Sequence, residues 1–204
     1  LGAQSLFTNT TGANNTAVGL QALYANTTGA ENTAVGCASL VTNTTGPSNT
    51  AIGNKSLVAN TTGGSNTALG VCSLCKNTTG DTNVAVGGLA LFDATTAAGN
   101  VSVGYNTLPN ATTGYSNVAI GKEALLANTT GYCNTAFGVL AGDDVTTGAL
   151  NTLIGTNASP NLSTGNGNVT IGDIGHVGTR LFNITSENDR FIAGHHNITN
   201  AYVK

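Results

Sequence analysis

The sequence predicts an all-β fold: a parallel β-solenoid (β-roll) of about ten 17-residue coils, followed by a short non-repeating C-terminal tail. Three observations predict it. An Asn with a Gly four residues later recurs every 17 residues, without insertion or deletion. Apolar character inside the unit has a period of two, as strands require. Glycines sit at two fixed places in the unit, where a chain must turn. A helical repeat needs about 33 residues or more, and β-branched residues beside frequent Gly oppose helix.

We number the unit from its Asn as position one. That column is Asn15, Asn32, Asn49, Asn66, Asn83, Asn100, Asn117, Asn134, Asn151 and Asn168. Identical amides stacked at strand spacing can form a hydrogen-bonded ladder. Asn also turns corners through Asx geometry, and the two roles are compatible. Position two is Thr or Val, position three is mostly Ala, and position four is aliphatic or Phe. The alternation is read with positions two and four facing inward and the Ala column facing out. Position five is Gly throughout, position nine is Leu from Leu6 to Leu125, and Thr-Thr-Gly closes the unit at positions thirteen to fifteen. Two short strands and two turns per coil fit this pattern.

Residues 1–172 form the repeat region, and residues 173–204 are expected to be a cap, a stem or a docking segment. The register stops at Asp173, and three strand-like residues, Phe191, Ile192 and Ala193, stand in the tail. Solenoid ends expose unpaired strand edges and are normally capped. The sequence opens at Leu1 and Gly2 in mid-unit and contains no Met, which suggests a processed product or part of a longer chain. Leu1, Gly2, Phe191, Ile192 and Ala193 are therefore the candidate subunit-docking residues, with one subunit's tail completing the next one's first coil.

Composition narrows the function classes. Only 7% of residues are charged and 40% are hydrophobic, which separates the chain from disordered proteins. The net charge of -3 and the lack of a basic cluster give no reason to expect nucleic acid. No apolar run is long enough for a membrane-spanning helix. No phosphate loop, nucleophile elbow or HExxH is present, and adjacent His195 and His196 on a strand would point apart. No enzymatic activity, cofactor or metal is expected. A thin coil buries little apolar surface, so a homo-oligomer is expected, with the Ala column either a flat contact face or simply the closure of a narrow interior.

Two further chemistries are candidates. Cys72 and Cys75 are the one pair close enough for an intrachain disulfide, since Cys37 and Cys133 lie two or more coils from the others. A buried or idle thiol is the first reading, with that disulfide or a metal site as the alternatives. N-x-S/T acceptor patterns at Asn9, Asn26, Asn43, Asn60, Asn77 and Asn128 recur at one corner, with others including Asn110, Asn183 and Asn197. Glycans there would line one edge of the rod. Chance in an Asn-Thr-rich corner is the competing reading.

The units Asn14-Asn15-Thr16-Ala17-Val18-Gly19 and Ser116-Asn117-Val118-Ala119-Ile120-Gly121 resemble the head repeats of trimeric autotransporter adhesins. The longer unit, running on to Asn26-Thr27-Thr28-Gly29, is similar to repeats of phage-type tail-fibre proteins. Asp189 to Gly194 resembles the segment before a self-cleaving chaperone domain in such proteins. The resemblance implies a left-handed β-roll, a homotrimer, and an extracellular, surface-attached or virion location. The expected function is a structural, non-enzymatic fibre or filament subunit, assembled head to tail or as a trimer. The alternative is a module that binds a cell-surface receptor or glycan, at variable positions six, seven and ten or at the tail. Ice binding is disfavoured, because adjacent Thr residues at thirteen and fourteen cannot share a face and the position-two Thr column is read as inward.

Overall fold

The computed structural model describes residues 1–172 and 185–193. Ten three-residue strands recur at 17-residue intervals, from β1 (Thr16–Val18) to β10 (Val169–Ile171), and β11 (Phe191–Ala193) follows. All eleven pair in sequence order in one parallel sheet, each Thr or Val opposite its counterpart one unit on. The chain is a β-solenoid.

Each coil carries one strand, where the sequence suggested two. The reason lies in the backbone opposite the strand. In the coil that begins at Asn32, Ala38 and Leu40 hold φ of 55° and 49°, both left-handed. Alternating φ in this way still aims the amides along the rod. Ala38 N–H donates to Leu20 O of the preceding coil (2.9 Å), and Leu40 N–H to Ser56 O of the next (3.0 Å). The segment therefore bonds like a strand and shortens like a turn, which closes the coil in 17 residues. Bonds of the same sense occur at the other sides, from Gly36 N–H to Val18 O, Thr44 N–H to Thr61 O and Ser48 N–H to Ala30 O. Backbone bonds to neighbouring coils thus occur on every side of a coil, with turns such as Asn43 N–H to Leu40 O closing the rest.

The alternation has the expected period and the opposite phase. Ala34, Ala51, Ala68 and Ala85 at position three are fully buried, whereas positions two and four face solvent. Val18 is 39% exposed, Leu69 44% and Phe137 55%. The cause is room. Leu23, Leu40, Leu57, Leu74, Leu91, Leu108 and Leu125 at position nine are fully buried and fill the thin interior. Only a methyl-sized residue fits opposite them. A shift of one residue in a strand turns every side chain to the other face, and the branched residues are therefore outside.

Departures from the pattern come in matched pairs. Position nine is Gly142 in one coil, and the next coil carries Leu153 instead of Ala at position three. A Cβ at Gly142 would strike Leu153 Cδ1 and crowd Leu125 Cδ2 at 3.2 Å. One Leu has moved across the interior, and the Gly makes way for it. One coil later Ser159 replaces Leu and Thr170 replaces Ala, and their hydroxyls bond at 2.6 Å. A polar pair is buried there with its partners in place.

The two glycine columns serve different needs. Position five has φ of 136° at Gly53, a region closed to side chains, and a Cβ there would lie 2.5 Å from Gly70 O. Position fifteen has no such φ, and its constraint is contact. A Cβ at Gly29 would meet Asn26 Oδ1 at 2.5 Å and Gly46 O at 2.6 Å.

The tail departs from the register and then resumes it. Ser163 N–H donates to Thr185 O (2.8 Å), and Asn168 Nδ2 to Glu187 O (2.8 Å), the bonds that position thirteen and the position-fifteen carbonyl make elsewhere. Arg190 then stands in the Asn column, 22 residues after Asn168 instead of 17. The Glu187 carboxylate accepts from Thr185 N–H at 2.7 Å, and bonds from backbone amides hold it below the usual carboxylate range.

Candidate functional site

The described residues commit most of their polar chemistry to two internal columns. In the position-one ladder, Asn49 Nδ2 donates to Asn32 Oδ1 (3.2 Å) and to Gly63 O (2.9 Å), while Asn49 N–H also donates to Asn32 Oδ1 (2.9 Å). Both amide hydrogens are used, and the oxygen accepts twice. The pattern runs through Asn66, Asn83, Asn100, Asn117, Asn134 and Asn151 to Asn168, which accepts from Arg190 N–H at 3.1 Å. At the first members, Asn15 Nδ2 donates to Gly29 O and Asn32 N–H to Asn15 Oδ1. Buried amides satisfied this fully specify one stacking register.

The second column is the one that carries the N-x-T patterns. Asn26, Asn43, Asn60, Asn77 and Asn128 are fully buried, and Asn9 is half-buried. Asn26 Nδ2 donates to Asn9 Oδ1 (2.7 Å), Asn43 to Asn26 (3.0 Å), Asn60 to Asn43 (2.7 Å) and Asn77 to Asn60 (2.8 Å). Asn9 Nδ2 donates to Gly12 O at 3.0 Å. At the five buried positions the nitrogen a glycan would occupy is inside the coil, and from Asn9 to Asn77 the column forms a second ladder. Asn110 donates to Leu126 O (2.8 Å), and Asn183 and Asn197 lie outside the described residues.

This second ladder is interrupted. Ala94 and Ala111 occupy the column after Asn77, and Val145 follows Asn128. Asn77 Oδ1 and both amide atoms of Asn128 consequently meet no hydrogen-bond partner. A buried polar group without a partner costs about 1–3 kcal/mol. Asn128→Val, which copies the next coil, is expected to raise stability by about that amount in thermal melts. Asn60→Val, in the intact stretch, is expected to lower it.

The four cysteines are free thiols, Cys72 and Cys75 among them. Cys75 is buried, with its Sγ 3.6 Å from Lys55 O. Burial, with the neighbouring Cys72 adding to it, pushes the Cys75 thiol up to about 12. Such a thiol stays protonated and inert at neutral pH. Cys37 and Cys133 are exposed on separate coils.

The docking residues fall at the two ends of the sheet. The Leu1 amino group donates to Ala17 O (2.6 Å) and Leu1 O accepts from Gly19 N–H, so Leu1 and Gly2 lie along the β1 end. Phe191, Ile192 and Ala193 pair with β10 of their own chain, and Ile192 packs against the core. The tail strand is thus engaged within its own rod. His176, His195 and His196 lie outside the described residues. Among the described residues no group of three or more His, Cys, Asp or Glu comes together, and no helix is long and apolar enough to cross a membrane.

What remains outward is the sheet face itself. Its two columns, positions two and four, carry only Thr, Val, Ile, Leu, Phe and Ala through all eleven strands. The position-two Thr column faces out, so one premise against ice binding is reversed. Exposed aromatic side chains stack elsewhere on the rod, Tyr115 on Tyr132 at 5.0 Å and Phe7 on Tyr24 at 5.5 Å. Comparisons of the chain with protein-family models, with curated proteins and with solved structures each find no match.

Proposed function

We propose that the chain is a structural, non-enzymatic subunit of an extracellular fibre or filament. The observation that carries this reading is axial continuity. Backbone bonds between coils run along the rod on every side, and two internal amide columns run beside them. A pull along the axis is shared among many parallel hydrogen bonds, each coil repeating the last. The extracellular placement rests on the resemblance of the units to adhesin-head and tail-fibre repeats. Strands β1 and β11 are the first and last of the stack, and the ends of a parallel stack are where a further rod can add.

Electron microscopy and light scattering of the purified chain over a range of concentrations test the proposal. Rods that lengthen or associate as concentration rises are expected. Compact single chains at the highest soluble concentration would end it. The stacked aromatic pairs favour a second reading, in which the rod presents sugar-binding platforms. A glycan array separates the two, since a purely structural rod retains nothing.

A further inference from the structure

We infer that the outward face of the sheet is a lateral interface with a second copy of this chain, laid sheet against sheet. The inference rests on the structural reading above and names the surface that a single rod leaves uncovered.

The face is long and without charge. Eleven parallel strands at about 4.8 Å spacing make it roughly 50 Å long, and three residues give it about 10 Å of width. Each strand offers two outward side chains, and in none is either a Lys, Arg, Asp or Glu. Val18, Ile52, Leu69, Phe137, Ile154, Ile171 and Phe191 are all exposed. The position-four column is apolar from end to end, while position two is Thr in six of the eleven strands. At roughly 50 Å by 10 Å, covering this face removes about 500 Å² from each copy. The total, about 1,000 Å², reaches the size a biological interface should clear.

Periodicity names the occupant. The outward columns repeat once per coil, with identical register from Thr16 opposite Thr33 to Thr152 opposite Val169. A surface with the same rise keeps every row in contact along the full length, and a second copy has that rise by construction. Two such faces pack about 10 Å apart, as stacked sheets do, with branched side chains interleaved. A globular partner would match a few rows only, and a polar ligand would find no charge to read.

The test places charge in the middle of the face and reads mass by analytical ultracentrifugation. Val86→Lys with Val103→Lys is expected to convert assembled chains to the single-chain mass, with circular dichroism unchanged. Val71→Lys, at an exposed position off the sheet face, is expected to leave the mass as it was. A gentler variant guards against misfolding: Val84→Thr, Val101→Thr and Val118→Thr copy the Thr present in this column at Thr50 and Thr67. It is expected to weaken association roughly tenfold. Assembly that persists in both variants overturns the lateral interface. If fibrils still lengthen end to end in that case, the fibre reading stands without it. A wild-type chain that remains single overturns both, and thermal hysteresis from that single chain would give the face to ice instead.

Discussion

Gly142→Leu and Leu153→Ala each destabilise the rod, and together they restore it. Leu153→Ala alone empties the interior between two coils, and deleting a buried Leu costs about 2–5 kcal/mol. Gly142→Leu alone inserts a side chain where Leu153 Cδ1 already lies, with Val145 Cγ2 at 3.4 Å from the first added carbon. Overpacking of this kind costs about 1–3 kcal/mol or more. The backbone is not the obstacle, because φ at Gly142 is 62° and Leu125 takes 50° at the same place in the preceding coil. The double variant recreates the Leu-and-Ala pair of the other coils and is expected within about 1 kcal/mol of the parent. Urea unfolding of the four proteins gives the coupling energy directly. Additive losses would show that the two sites do not share one space.

Gly53→Ala is expected to be the more damaging single change. The φ of 136° lies where only Gly rests without strain, and such residues cost about 1–3 kcal/mol when forced. The added Cβ would also sit 2.5 Å from Gly70 O and 2.7 Å from Gly70 C, which are backbone atoms that cannot rotate away. Relief requires the two coils to part, which breaks the bonds from Thr50 N–H to Asn66 O and from Gly70 N–H to Ile52 O. A loss of at least about 3 kcal/mol follows, with hydrogen exchange accelerated in the coils on either side. Gly88→Ala serves as the control. Its Cβ would meet nothing closer than Tyr105 Cδ2 at 3.5 Å, so stability should hardly change. A mild effect at Gly53 would mean that coils slide past one another more freely than their bonding suggests.

The sequence made the coil length, the parallel stacking and the position-one Asn column legible, because a strict 17-residue interval leaves few other folds. It did not reveal which face is inside. Val35 and Ile52 look like core and Ala34 like surface, yet Leu40 across the coil takes the volume and reverses the roles. The second amide column was legible in principle. Where it departs from Asn it becomes Ala94, Ala111, Val145 or Leu162, all apolar, and a solvent-exposed glycan site would not drift that way. The resumption of the coil at Thr185 was hidden, because Arg190 stands where an Asn would have marked it. The left-handed φ at Leu40 had no signature at all, since Leu rarely adopts it and neighbouring coils alone enforce it.

The two amide columns also give the molecule an electrical direction. Wherever one ladder amide bonds the next, the Nδ2 points toward the coil before it, as Asn49 does to Asn32 and Asn60 to Asn43, and the Oδ1 toward the coil after. The side-chain dipoles therefore add, as peptide dipoles add along a helix, with the positive pole at the Leu1 end and the negative pole toward Arg190. Joined end to end, two rods gain by keeping the same sense. Laid side by side, they gain by opposing it.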